Sequence, residues 1–375
     1  MRTRRTANLP LLYTHPIGSL PRPKAVLDVL ARRKQMGPQR LAQVMDDFVA
    51  FAIRLQEEAG MDVVSDGEWR REQYIREFLG RIGGFERCRR YEHQGEVKYT
   101  DVVVRRIPAT EAVFAQDAAF LAGHTDRVTK FALPSPFLIA IRYWHENYSR
   151  DDYPTIQHFI DHISEILARE ARALVQNGID IVQIDDPALA YYCDEALMAG
   201  TSSHDERLHR TWDIDKELPM AVAAINRIVE GLPAEVHLHC CHSVYKRRSD
   251  VVGNYKPILP RLADLKVDRV NLEFAYTGTG EISDLRLLPA HLNVGMGVVD
   301  VRSERVPTVE QIEALVARAV EIVPPERIAL NPDCGFAPEA VEPPTIDEAF
   351  EKLKCLTTAA ARLRQRFAKS ESPRH

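Results

Sequence analysis

The sequence predicts an α/β fold, a single (β/α)8 barrel, and three observations carry that prediction. Eight apolar runs of strand length alternate with segments of helical period, the pattern of successive βα units around a parallel sheet. The alternation extends over most of the 375 residues, which suits a closed barrel better than an open doubly wound sheet. The residues richest in coordination chemistry fall where runs end, and such barrels gather their catalytic groups at the C-terminal ends of strands.

The expected strands are Leu11–Gly18, Asp62–Asp66, Lys130–Pro134, Ile179–Ile184, Glu235–Cys240, Arg269–Phe274, Leu292–Val298 and Arg327–Asn331. Between the last two, Ile312, Leu315, Val316, Ala319 and Val323 recur at helical spacing behind a capping box of Thr308 and Gln311. The final helix opens in the same way with Thr345 and Glu348. After the second strand the rhythm breaks at 85–110, a stretch dense in charge (Arg87, Arg89, Arg90, Glu92, Glu96, Lys98) in which Val102, Val103 and Val104 suit one arm of a hairpin. This inserted excursion reads either as a solvated loop on the barrel or as a lid or dimer contact. One domain is expected over 1–369, with a flexible tail at 370–375.

Composition bounds the function. With 45% hydrophobic residues and a formal net charge of −5, the chain suits a large globular domain and offers no basic field for nucleic acid. The basic start Met1-Arg2-Thr3-Arg4-Arg5 is not followed by an apolar stretch, and no run approaches the ~18 apolar residues of a membrane span, so a cytoplasmic protein is expected. Six cysteines then read as reduced thiols rather than a disulfide framework. Cys88, Cys193 and Cys355 show no partner spacing, and Cys355 lies within a helical apolar pattern that suits core packing.

The remaining thiols have company. His239 and Cys241 stand two apart at the end of the fifth run, so they share a face and can reach one ion; His237 shares that face deeper in the strand, as a packed residue or one that supports the ligands from behind. Glu273 ends the sixth run, where a buried carboxylate needs either a metal or a cationic partner such as arginine. Cys334, in Asn331-Pro332-Asp333-Cys334-Gly335, sits in a turn at the end of the eighth. Two thiolates, one imidazole and one carboxylate form a suitable tetrahedral set for Zn²⁺.

In this order, the His-x-Cys pair, the strand-end glutamate and Asp-Cys-Gly resemble the catalytic barrel of cobalamin-independent methionine synthase and its single-barrel relatives. Collinear motifs extend the resemblance over most of the chain: Ile17-Gly18-Ser19-Leu20-Pro21, Asp66-Gly67-Glu68, the run Gln183 to Leu189 containing Asp185 and Asp186, and Gly295-Met296-Gly297. The glycine pairs at 295–297 and 278–280 lack the context of a nucleotide loop.

The resemblance implies zinc held by His239, Cys241, Glu273 and Cys334, with a thiol substrate such as homocysteine displacing or weakening the Glu273 bond. It implies that Ser19, with the backbone of Ile17 and Gly18, meets the substrate carboxylate, and that Glu68 and Asp185 take its ammonium group. Two departures bear on the reaction. The family's full-length members carry a second, N-terminal barrel that helps bind folate, for which this chain has no room. They also place a histidine after strand seven as proton donor, where this chain has Val299-Asp300-Val301-Arg302-Ser303. Arginine stays protonated, so His15, His242 or Asp300 becomes the candidate acid, while Arg302 suits an anionic group. Trp144, in an aromatic stretch after the third strand, is a candidate for stacking a flat donor.

The leading expectation is therefore a zinc-dependent methyltransferase acting between a small-molecule thiol and an alkyl donor, folate among the possibilities, with a homodimer as a possible assembly. The alternatives are a thiol-to-epoxide transferase of the coenzyme M type and a metal-free lyase like uroporphyrinogen decarboxylase. The last would leave the His-x-Cys and Asp-Cys-Gly positions without a role.

Overall fold

The computed structural model describes residues 5–71, 73–93, 95–201, 206–337 and 343–370. Its centre is a curled parallel sheet of seven strands: β1 (Val63–Val64), then, after an antiparallel hairpin of β2 (Phe85–His93) and β3 (Glu96–Val103), β4 (Val128–Pro134), β5 (Ile181–Asp185), β6 (Glu235–His239), β7 (Arg269–Glu273), β8 (Asn293–Val299) and β9 (Ile328–Pro332). Strand order is β1-β4-β5-β6-β7-β8-β9, every neighbouring pair parallel. From β4 onward nearly every strand residue is buried, as expected when helices cover one face and the strands' own inward side chains fill the other.

The expected first strand differs most. Of Leu11–Gly18, only Thr14 forms a bridge, parallel to Leu330 of β9. The segment nonetheless lies between the two sheet edges. Leu330 N donates to Tyr13 O (2.8 Å) and His15 N to Leu330 O (3.0 Å) on one side, and Val63 N donates to Thr14 O (3.1 Å) on the other. Prolines at 10 and 16 explain the short pairing, because they bring no N–H to a ladder.

Side chains two apart on each strand point inward together and form layers. The lowest joins Tyr13, Glu235, His237 and Arg269. Above it Gln183 accepts from Asn271 Nδ2 (3.0 Å) and donates to the carbonyl of Ile17 (2.9 Å). Gly295 and Gly297 belong to these layers: a Cβ at Gly295 would strike Asn271 and Asn331, and one at Gly297 would strike Asp333. Their glycines serve close packing of polar side chains within the curled sheet. The top layer carries Asp185, His239 and Glu273.

The charged stretch at 85–110 contributes the hairpin, a separate two-stranded sheet with a register shift between Arg87 and Arg89. It is pinned over the strand ends: Lys98 Nζ donates to the Tyr245 hydroxyl (2.6 Å), His93 meets the Tyr245 ring edge-on at 4.8 Å, and the Arg207 guanidinium covers Tyr91 at 4.1 Å. The last helix, Ile346–Ser370, is capped by Thr345 as the sequence predicts. It includes the first residue of the expected tail; 371–375 lie outside the described residues. Among the described residues no helix is long and apolar enough to cross a membrane.

Candidate metal centre

Three groups converge at the C-terminal ends of β6 and β9. One ring nitrogen of His239, Cys241 Sγ and Cys334 Sγ all lie within 4.8 Å of one another, all buried, with the two sulfurs 3.5 Å apart. Ligands at about 2.0–2.3 Å from a tetrahedral zinc ion stand roughly 3.3–3.8 Å from each other, so a single ion fits the cluster. His239 is oriented for it. Asp185 Oδ1 holds Nδ1 at 3.0 Å, and Nε2 is buried without a hydrogen-bond partner. A histidine fixed through one nitrogen by a carboxylate, with the other left bare, has the usual arrangement of a metal ligand.

Taken as protein groups alone, the three share protons. The Cys334 thiol donates to Cys241 and, with His239 outweighing burial, lowers the Cys241 thiol to about 5. Burial opposes a charge on His239, but the Cys241 sulfur and Asp185 overcome it and push its imidazole up to about 10. The cluster thus already holds one thiolate, the form in which sulfur binds metal.

Glu273 is not among the three groups that lie within 4.8 Å of one another. Its Oε2 accepts from the His242 backbone N–H (3.1 Å) and lies 2.8 Å from His242 Nδ1; its Oε1 accepts from Arg302 Nη2 at 2.8 Å. Arg302 overcomes the burial that would raise Glu273, and holds the carboxyl down to about 2. Arg302 is a cationic partner of the kind the sequence allowed for this carboxylate.

The cavity above the cluster is lined by Ile17, Ser19, Glu68 and Asp185 on one side and by Tyr91, His93 and Lys98 of the hairpin on another. Gly18 lies behind this wall, where a Cβ would strike Glu68. Glu68 has left-handed backbone (φ 58°), a strained setting for a non-glycine residue that turns the carboxylate inward. Burial raises it to about 7, with Arg71 working against the shift and Asp185 and Asp66 adding to it.

The remaining expected residues lie elsewhere. His15 is deep in the barrel beside Lys130 Nζ (3.0 Å), and Trp144 donates its indole N–H to Tyr153 O (3.1 Å) rather than facing the cavity. Asp300 accepts from the Arg302 backbone (2.8 Å), closing a turn, and both nitrogens of His242 face acceptors, Glu273 and the carbonyl of Gly253 (2.9 Å). None of the four lines the cavity. Sequence reasoning missed Tyr74, His93, Arg142, Arg207 and Tyr245, which do. His93 and Lys98 stand in the charged stretch that breaks the βα rhythm, the one signal that pointed to them.

Comparison with known proteins places the chain in a family. A family profile described as the catalytic domain of cobalamin-independent synthase matches residues 12–362. The chain is 28% identical over 332 residues to a methionine synthase of Pyrococcus abyssi, covering 88% of this chain and 87% of that protein. To the methionine synthase of Saccharolobus solfataricus it is 28% identical over 335 residues, covering 88% and 90%. Among solved structures, a B12-independent methionine synthase from a Shewanella species, in complex with selenomethionine, superposes with a TM-score of 0.77 at 22% identity, over 96% of this chain and 99% of that one. One from Listeria monocytogenes gives 0.72 at 20% identity, over 95% and 99%.

Proposed function

The chain belongs to the family of the cobalamin-independent methionine synthase catalytic domain, and we propose that it is a zinc-dependent methyltransferase whose acceptor is an amino-acid thiol of the homocysteine type. The observation that carries this reading is the convergence of His239, Cys241 and Cys334 beneath a cavity that also presents Glu68 and Asp185. The eighth barrel position, filled by 13–15, and a single domain over 1–369 are parts of the same proposal.

A bound zinc ion would supply one thing, a lowered proton affinity in a thiol brought to it, so that sulfur attacks as thiolate. The chain's own residues do the rest. Asp185 keeps His239 in the tautomer that leaves Nε2 bare. Glu68 and Asp185 offer carboxylates to the ammonium group, and Ser19, lining the same cavity, offers its hydroxyl to the carboxylate. With both ends of the amino acid held, the sulfur is confined to one position, and orientation contributes much of the rate. Besides His239, His93 is the one imidazole lining the cavity among the described residues, which makes it the group to protonate a leaving nitrogen.

One observation favours a second reading within the scaffold. Arg302, at the family's proton-donating position, is committed to Glu273 and cannot act as an acid. An electrophile such as an epoxide, whose opening leaves an alkoxide, would need a donor at a different place from a folate nitrogen. Metal analysis of wild type and Cys334→Ala, followed by a thiol panel with methyltetrahydrofolate and with epoxides, decides between them. One zinc per wild-type chain and none in the variant, with methyl transfer to homocysteine, is the expected result. Zinc without alkylation of any thiol by either donor overturns the mechanism.

A further inference from the structure

We propose that Arg71 is a positioning residue for the amino-acid thiol: it stands behind Glu68, near enough to keep that carboxylate charged and too distant to occupy the oxygens that the substrate's ammonium group needs. The inference rests on the reading of Glu68 given above and deepens it.

Glu68 lines the cavity and Arg71 does not. Both belong to the turn after β1, where the Arg71 backbone N–H donates to Glu68 O (3.0 Å). The Arg71 side chain is 1% exposed, and its guanidinium lies among apolar groups, 4.6 Å from the centre of the Phe114 ring and 4.4 Å from that of Phe131. Nη1 donates to Ala132 O (3.1 Å), while Nε and Nη2 have no hydrogen-bond partner. A buried cation in such a place needs counter-charge, and two carboxylates supply it from a distance. Asp66 Oδ2 is 3.7 Å from Nη2, and Glu68 Oε1 is 3.9 Å from Nη1. Both separations are too long for hydrogen bonds, so the attraction is Coulombic and the lone pairs stay unshared. Among the described residues no donor is hydrogen-bonded to the Glu68 carboxylate, although the residue is buried. The two rings and the Ala132 carbonyl hold the guanidinium back from it. A closer, forked pair would tie up both oxygens and compete with an arriving ammonium group.

No other neighbour plays this part. Arg22 binds main-chain carbonyls, Glu68 O (2.8 Å) and Ala337 O (3.1 Å), and burial, Asp185 of β5 and Asp66 all oppose a charge on Glu68. Arg71 is the strongest of the groups that favour it. Arg71 keeps its own charge against burial through Asp66 and Glu68, with Asp117 of the helix Ala115–Gly123 adding to them. None of these contacts involves His239, Cys241 or Cys334.

Zinc-loaded full-length protein labelled with carbon-13 at the glutamate carboxyls tests this. The Glu68 resonance is the one missing from Glu68→Gln, and in wild type it should titrate near neutrality. In Arg71→Gln the midpoint should rise by about one pH unit or more; an unchanged midpoint overturns the proposal. Homocysteine and 4-mercaptobutyrate, which differ only in the amino group, read the consequence. Near neutral pH, Arg71→Gln should lose about threefold or more of the wild-type preference for homocysteine, with affinity for 4-mercaptobutyrate unchanged. Equal weakening of both thiols would make Arg71 part of the cavity's frame and overturn the proposal. Should Arg71→Gln misfold, Arg71→Lys suffices. Its ammonium, on a flexible stem, can close on Glu68, so the midpoint should hold or fall while the preference for homocysteine drops. A raised midpoint or an undiminished preference there overturns the proposal. Failure of wild type to bind either thiol would overturn the acceptor reading and this role with it, whereas a fixed midpoint in Arg71→Gln with homocysteine still preferred overturns this role alone.

Discussion

His237 and His239 stand two apart on β6, point to the same face of the curled sheet and are both buried, yet their surroundings drive them to opposite states. His237 is enclosed. Burial outweighs its contact with Glu235 Oε1 (3.0 Å) and lowers it to about 4, so it is a neutral member of a layer where Tyr13 donates to the same Glu235 oxygen (2.9 Å) and Arg269 donates to Tyr13 (3.0 Å). His239, one layer higher, meets Asp185 and two sulfurs and is driven up to about 10. Each imidazole has one buried nitrogen without a hydrogen-bond partner, Nδ1 of His237 and Nε2 of His239, but of the two residues only His239 lines the cavity. Polar burial alone therefore does not mark a site; unmatched donor atoms next to open space do.

The largest predicted effect tests that contrast from above. Cys241→Ser, Cys334→Ala and His239→Ala should each weaken zinc binding by roughly a thousandfold or more, about 4 kcal/mol. The unfolding midpoint of the metal-free protein should move little. Chelator competition together with calorimetry checks both halves. A variant that unfolds the apo-protein but keeps the metal would reverse the assignment of layers.

The complement comes from below. Arg269→Met removes the cation that donates to Tyr13 and to the carbonyls of Val294 (2.6 Å) and Arg327 (3.0 Å). It strands Glu235 in the interior and should cost about 3–5 kcal/mol in denaturant unfolding, with zinc stoichiometry unchanged. The same layer gives a pH signature. His237 is neutral in the fold down to about 4, but in the unfolded chain it takes a proton near pH ~6.5. Its contribution is thus present above pH ~6.5 and is lost as pH falls toward 4, up to about 3 kcal/mol. Unfolding of His237→Phe measured across that window should show a flatter acid limb than wild type.

What the sequence could and could not disclose follows the same division. Periodicity located β4 to β9 because each is a local apolar run, and residue type at run ends was enough to bring out His239, Cys241 and Cys334. The segment 11–18 looked like a strand because its apolar residues are local, while its pairing is limited by prolines and set by Asp62, whose carboxylate takes the Thr14 N–H at 2.7 Å. Glu273 and Arg302 were each legible as residues needing a partner. That they choose each other, 29 positions apart and around a barrel turn, depends on the closeness of β7 and the loop after β8. His93 and Lys98 reach the cavity only because the hairpin folds back over the mouth, and no local pattern encodes that direction.

A smaller effect probes the link between His239 and its orienting carboxylate. Asp185→Asn keeps the shape but removes the charge on Nδ1, and should weaken zinc about 10–100-fold, well short of losing a ligand. Wild-type affinity in this variant would mean that the Gln183 amide, which also reaches Asp185 at 2.6 Å, is its true purpose.

The smallest effect concerns substrate rather than metal. Glu68 is held near neutrality by burial, to about 7, although it faces the cavity where the ammonium group of the thiol is proposed to sit. Below pH ~7 it is protonated and neutral, so the charge-assisted contact is lost; above it the carboxylate is formed and the contact is made. Affinity for the amino-acid thiol should therefore fall as pH drops from about 8 to 6, by up to tenfold in all. Glu68→Gln should bind about tenfold more weakly at pH 8 and show little of that dependence. Thiols lacking the amino group should be indifferent to the substitution. Were they weakened equally, Glu68 would be shaping the cavity through its left-handed turn rather than reading the ammonium, because a change in backbone is felt by every ligand and a missing charge only by its counter-ion.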